Sequence, residues 1–420
     1  MSRLVEKSRN IFATSCLVAG VLAGASGCKS GESDSTGGEG GAPGAGGAVE
    51  GGAGPGGASS GDEDELINEA AEQYASVVSA TYGDALASAL ALKTEIAAFL
   101  DEPSEETLTA AKKAWLASRE PYLKTEAFRF YDGPIDNPED GPEGQLNAWP
   151  LDEAYIDYVV GDVDSGIIND PSVAITALAL GALNEQGGEK NIATGYHAIE
   201  FLLWGQDLSE DGPGERPVTD YTTADNSERR GQYLQVVTDL LVQDLEGLVQ
   251  AWSSGKTNYR AEFLAESPAE KMRRVLTGLI VLSGFETGGE RLQTAYDTQD
   301  QEDEHSCFSD NTHRDMVGDV LGIQDVYLGT YQKLDGTKLS GTSFFEVVKA
   351  KDSALAAELK DRIQTSLELA EALKPPFDQE IKSSAGRKRV EALIESLRFE
   401  QEPLLEDVFR LFELTIPNPE

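Results

Sequence analysis

Residues 195–205 read Gly-Tyr-His-Ala-Ile-Glu-Phe-Leu-Leu-Trp-Gly. The pattern predicts a helix on which Ala198, Ile199, Phe201, Leu202, Leu203 and Trp204 cover every side. A helix that is apolar all round is a buried one, so the rest of the fold must wrap it. His197 and Glu200 stand three residues apart, share a face of that helix and enter the interior with it. A buried carboxylate must be paired, protonated or metal-bound. With an imidazole one turn away, the two residues form half of a metal or proton-transfer site. The competing reading is an internal His–Glu hydrogen bond that only positions the helix.

Helical periodicity continues on both sides. Val77, Val78, Tyr82, Leu86, Leu90 and Leu92 carry a helix to about residue 100, and Pro103-Ser104 breaks it and starts the next. That second helix, over 104–130, sets Trp115, Arg119, Tyr122, Glu126 and Arg129 at steps of four, three, four and three, a single stripe. A charged stripe is usually solvated. Here Trp and Tyr are mixed into it, and Pro121 removes a backbone hydrogen bond inside it, so a lined polar pocket is expected. A long loop covers 131–147. Tested as a calcium loop from Asp136 it fails, with Pro138 at the third position and Asn147 where a glutamate should close the site. A helix over 227–252 is the expected connection between two halves. Pro268 opens an apolar helix on which Gly284 and Gly288 admit a close neighbour, and Glu286 is a candidate second buried acid. Residues 344–414 read as two or three amphipathic helices broken at Pro375-Pro376 and Pro403. No run of period two suggests a strand, and the fold class is all-α.

The N-terminus has the form of an export signal. Arg3, Lys7 and Arg9 precede an apolar run over 11–25, which ends in Ala-Ser-Gly-Cys. This resembles a lipobox with Cys28 as the lipidated residue, so residues 1–27 are expected to be a lipoprotein signal peptide. Residues 28–61, rich in Gly, Ala and Ser, are a flexible tether. Residues 62–250 and 251–420 are the two expected helical bundles. The expected location is the cell envelope, at the outer membrane or facing the periplasm, with the lipid as the membrane contact. With Cys28 lipidated, Cys307 is a lone thiol. The 34 Lys and Arg against 74 Asp and Glu give a net charge of −40. Such a surface repels nucleic acid and attracts cations.

The chain has no His-Glu-x-x-His helix, no Gly-x-Ser-x-Gly elbow and no phosphate-binding glycine loop. One His-x-x-Glu pair supplies two ligands, so a metal needs a third from another helix, and Glu126 is the first choice. Oxygen donors with one imidazole and no thiolate suit iron, manganese, zinc or calcium.

Several of these segments together resemble the imelysin family, and within it the iron-regulated A-type proteins. Gly195, His197 and Glu200 match the Gly-x-His-x-x-Glu signature. The likeness extends to 115–122, 125–130, 133–136, 146–153 and 306–313, which span most of the globular part. The resemblance implies two four-helix-bundle-like halves with the signature helix near their interface, in an envelope-anchored protein of iron acquisition that works with iron-uptake components. It also implies a bound metal ion, iron first and zinc or calcium as alternatives, held by His197, Glu200 and Glu126. Arg119, Tyr122, Arg129, Glu286 and Asp310 would be ligand-binding, Arg119 and Arg129 balancing charge or holding a carboxylate or siderophore-like anion. The family is also classed with metallopeptidases, so a metal-dependent peptidase is one alternative. A non-catalytic, partner-binding lipoprotein is the other, and whether the chain is an enzyme stays open.

Overall fold

The first described helix, Ser60–Asp101, is 42 residues long, roughly 63 Å at 1.5 Å per residue. It buries Tyr74, Val78, Tyr82, Ala85, Ala89, Leu92, Ile96 and Phe99. Their steps of three and four draw one stripe along it. By length and composition this helix could cross a membrane. Its apolar stripe is instead packed against Glu105–Leu123 and Ser227–Trp252. The structure, a computed structural model, describes residues 60–418 except residue 210. The expected signal peptide, Cys28 and the tether up to residue 59 lie outside the described residues.

The second helix starts where the sequence predicts it. Ser104 accepts the Thr107 N–H at 3.2 Å, and the Thr107 hydroxyl accepts the Ser104 N–H at 3.0 Å, closing a capping box. It ends earlier than expected, at Leu123, and the chain tightens into a 3-10 turn over Lys124–Phe128. Pro121, in the last turn, gives up one helical hydrogen bond just before that change. The stripe from Trp115 to Glu126 is fully buried; it is no solvent face.

Pro268–Ile280 runs straight into Val281–Gln293, which is wound as a π-helix. At Gly284 a Cβ would overlap the Glu402 carboxylate, and at Gly288 the Arg398 side chain. The expected close approach is therefore made by the C-terminal helical run. That run, from Ser384 to Leu411, passes through Pro403 without a break. Proline in a first helical turn needs no N–H partner, and a π-wound stretch, Glu395–Gln401, precedes it.

Two short strands, Thr330–Gln332 and Lys338–Ser340, form an antiparallel hairpin around Asp335-Gly336. Helices carry the rest, and the fold is all-α. The larger apolar core takes side chains from Ile67 to Phe409, from both sides of residue 250. A smaller core, including Leu292, Met316, Phe377 and Leu397, lies wholly in the later part.

Candidate functional site

The signature helix, Gly195–Trp204, is buried at all ten residues. Gly195 opens it at φ +85°, and a Cβ there would stand 2.6 Å from the Leu146 carbonyl oxygen. Only glycine meets both conditions cheaply, which accounts for the first residue of the motif. The Trp115 indole N–H donates to the Tyr196 carbonyl at 2.9 Å and ties the second helix to this turn.

His197 Nδ1 lies 2.8 Å from Glu200 Oε2. The other carboxylate oxygen of Glu200 accepts the Ser309 N–H at 2.9 Å and the Ser309 hydroxyl at 2.6 Å. Both oxygens of Glu200 are therefore engaged. His197 Nε2 is buried and has no hydrogen-bond partner. Burial first, then Arg119, pushes the His197 imidazole well below its ordinary value. Burial also pushes the Glu200 carboxyl up to about 8. The contact meets the distance criterion for an ion pair. Since both shifts disfavour charge, we read it as a hydrogen bond between two neutral groups, the Glu200 carboxyl donating to Nδ1.

A second imidazole completes the group. The His305 ring centre is 4.8 Å from that of His197. Its Nδ1 is 2.7 Å from Asp315 Oδ2, and the Ser306 hydroxyl donates to the same oxygen. Burial and the facing Arg291 hold His305 low as well. Both imidazoles thus rest Nδ1 on a buried carboxylate. This is the arrangement by which a metal-binding histidine is oriented to present Nε2.

Glu126 does not join His197 and Glu200 in one ligand shell among the described residues. Its Oε2 accepts from Arg129 and Arg291, each at 2.6 Å, and Asn147 Nδ2 lies 3.4 Å from Oε1. Burial raises its carboxyl, but the two guanidiniums outweigh burial and hold it at about 2. The carboxylate expected as third ligand is thus the counter-ion of two arginines. Arg291 continues the chain to Asp319 at 2.9 Å and to Glu286 at 2.9 Å. Glu286 is that partner, on a side chain 20 % exposed. Arg129 bridges Glu126 to Glu143 at 3.0 Å.

Arg119 differs from the other two arginines. It donates to Asn147 Oδ1 at 2.6 Å, and its nearest carboxylate oxygen, on Asp315, is 3.8 Å away. Its Nε and one terminal nitrogen have no hydrogen-bond partner. The rings of Trp115, Tyr122 and Tyr196 pack around it. Tyr122 acts through its ring, 4.7 Å from that of Tyr196, and its hydroxyl has no partner.

Asp310 lies beside Ser309, and its carboxylate meets those of Asp207 and Asp378. Burial and then those two carboxylates push it up to about 8. The helix Thr312–Leu328 begins after Asn311, whose side chain makes no capping hydrogen bond. Ser309 is spent on Glu200. Cys307 is buried, and burial pushes its thiol up. Sequence reasoning missed His305, Asp315 and Ser309 as members of the centre. The available signal was scarcity, since the chain has three histidines.

The imelysin family model matches residues 78–404. Iron-regulated protein A of Synechococcus elongatus is 24% identical over 323 residues, covering 75% of this chain and 78% of its own length. Among solved structures, a candidate iron-regulated protein A precursor from Parabacteroides distasonis superposes with a TM-score of 0.66 at 19% identity. The match covers 82% of this chain and 95% of that one. An imelysin-like protein from Psychrobacter arcticum gives 0.60 at 12% identity, covering 86% and 98%.

Proposed function

The chain belongs to the imelysin family, and from that premise we propose that it is an iron-linked binding protein of the cell envelope, tethered through Cys28. Its centre is the pair His197 and His305. One observation carries the reading: the His197 Nε2 is buried without a partner while its Nδ1 is held by Glu200. Below pH about 8 the Glu200 proton faces Nδ1 and the ring proton sits on Nε2. Coordination through the Nε2 lone pair would release that proton while the Glu200 proton passes to Nδ1, and such nitrogens bind iron and zinc. Glu200 and Asp315 then orient the imidazoles, and Glu126 sets the charge of the arginine chain.

Two imidazoles leave most of a metal's coordination to be completed by what arrives with it. Arg119, with two nitrogens that make no hydrogen bond and only a 3.8 Å ion pair to Asp315, favours an anionic partner such as a carboxylate chelate of iron. When bound, the metal would supply a Lewis-acid anchor for that anion. The protein's own part is to keep both imidazoles neutral, fix their tautomers and exclude bulk water. A peptidase would need a free carboxylate to activate water next to a substrate cleft. Both oxygens of Glu200 are committed and its side chain is fully buried, which favours binding over cleavage.

The test is calorimetric titration of Fe(II), Fe(III) as its citrate chelate, and Zn(II) into the full chain. Ionic strength is held at about 0.15 M to screen the surface charge. Stoichiometric binding by the wild type, lost in both His197→Ala and His305→Ala, is expected. Equal binding by all three proteins, each verified as folded, would overturn the assignment.

A further inference from the structure

Four arginines are buried among the described residues: Arg119, Arg216, Arg230 and Arg291. Three of them meet a carboxylate at hydrogen-bonding distance. Arg216 and Arg230 reach Asp157 at 2.9 and 2.6 Å, and Arg291 reaches Glu126 at 2.6 Å. Arg119 is the exception. Its side chain is fully buried, and its Nη1 is spent on the Asn147 amide oxygen. Nε and Nη2 make up the other edge of the planar group, and neither donates to any atom. Such an edge meets an oxyanion with two parallel hydrogen bonds. Asp315 Oδ1 stands 3.8 Å from Nη2, too far for one of them. Asp315 is also engaged already by His305, Ser306 and Asn311. The ring of Tyr122 packs on the guanidinium, and its hydroxyl is a further buried group without a partner.

We infer that the Nε–Nη2 edge of Arg119 is a receptor for a small planar oxyanion of the carbonate class, which the metal-free protein binds. A guanidinium held away from water with two nitrogens unbonded is costly. One anion satisfies both nitrogens and supplies the counter-charge that the other three buried arginines find in the chain; water supplies hydrogen bonds without charge. Trp115, Tyr122, Asn147, Tyr196 and Asp315 around the guanidinium are at most 3% exposed, an enclosure that favours the smallest planar anion. With two oxygens on the arginine edge, carbonate keeps a third for the Tyr122 hydroxyl, where a simple carboxylate would present carbon. The inference narrows the reading above, in which Arg119 receives an anion, and rests on it only for what that anion serves. Beside a metal it would bring oxygen donors to a centre whose own free donors are imidazole nitrogens. Its binding to Arg119 needs no metal.

The experiment uses the full chain stripped with EDTA, in buffer purged of carbon dioxide, at constant pH and about 0.15 M ionic strength. Sodium bicarbonate, acetate and citrate are the probes. Bicarbonate should bind at one equivalent and raise the melting temperature saturably, in the wild type and equally in His197→Ala and His305→Ala. Failure of those two variants to bind metal, or success, therefore leaves this result standing on its own. Arg119→Lys keeps the charge and loses the fork, and its bicarbonate affinity should fall about tenfold or more. Tyr122→Phe removes a hydroxyl that has no partner, so it should fold as wild type does, with affinity lower by about fivefold. It carries the test if Arg119→Lys does not fold. A wild type with no saturable response overturns the site, since the edge then holds only water. Equal affinity in the wild type and the folded variants overturns it too, and equal affinity for acetate or citrate overturns the assignment to carbonate.

Discussion

Glu200→Gln separates orientation from coordination at the histidine centre. The replacement keeps the volume and removes the charge. One end of the side chain faces two donors, the Ser309 N–H at 2.9 Å and its hydroxyl at 2.6 Å. The amide oxygen must therefore take that end, which leaves the NH2 against His197 Nδ1 at the present 2.8 Å contact. An NH2 can only donate. Nδ1 is then fixed as an acceptor with the ring proton on Nε2, the nitrogen that metal binding requires, and the amide, unlike the Glu200 carboxyl, has no proton to pass to Nδ1. Restoring the productive tautomer breaks one buried hydrogen bond, about 1–3 kcal/mol, or roughly 5- to 150-fold in affinity. Zn(II), which is redox-inert, is the probe, titrated calorimetrically at constant pH into wild type and variant. Because Ser309 keeps its partner, the variant should melt at or above the wild-type temperature. Zinc affinity within twofold of wild type in a folded Glu200→Gln protein would refute the assignment of Nε2 as the donor and of Glu200 as the group that orients it.

Glu126→Ala should lower the unfolding free energy by about 3–5 kcal/mol, read by urea denaturation, because two buried guanidiniums lose their shared carboxylate. Loss below 1 kcal/mol would contradict that pairing. Gly195→Ala should cost about 1–3 kcal/mol for the φ +85° backbone alone, with overlap against Leu146 added, and thermal melting reports it. Glu200 also sets a pH dependence. Its carboxyl stands at about 8 in the fold against 4.5 ordinarily, so between these values the folded state holds a proton that the unfolded state lacks. The stability it contributes is complete below about 4.5 and is lost as pH rises through about 8. Relative to wild type, Glu200→Gln should therefore gain stability across that window, on the order of a few kcal/mol. A constant difference from pH 5 to 9 would contradict the raised carboxyl.

The helices were legible because their signals are local. Ser104 and Thr107 cap a helix whether or not anything packs on it, and an apolar wheel such as 195–204 must be buried wherever it lies. The His197–Glu200 contact was legible for the same reason, since both ends sit on one helix. Partners across helices were not. The stripe on the second helix shows that Arg119 and Glu126 share a face, but it does not say what that face meets. Glu126 looked like a ligand until Arg291, 165 residues later, took its carboxylate. His305 sits outside the long helices and has no period to betray its direction. The π-winding of Val281–Gln293 also follows from packing, and it changes which residues of that segment point inward. The Asp335-Gly336 hairpin was a missed local signal, a turn dipeptide between short polar strands.

The first helix closes the account of the fold at both ends of the described chain. Near its start, Asn68 and Gln73 bond to Lys271 and Gly329 (2.7 and 2.9 Å), and Lys351 pairs with Glu63. Further along, the Tyr331 hydroxyl donates to Asp84 at 2.9 Å. These four partners leave the ribosome roughly two to three hundred residues after the helix, at least 10 s later at synthesis rates of about 20 residues per second. Its stripe can meet Glu105–Leu123 as soon as that helix follows it, but the rest of its cover waits for Ser227–Trp252 and these later segments. Contacts so distant in sequence make for slow folding and a long exposure to aggregation. Truncation near residue 330 should remove the partners of Glu63, Gln73 and Asp84 and leave a chain less soluble than the whole, read by the soluble fraction after expression.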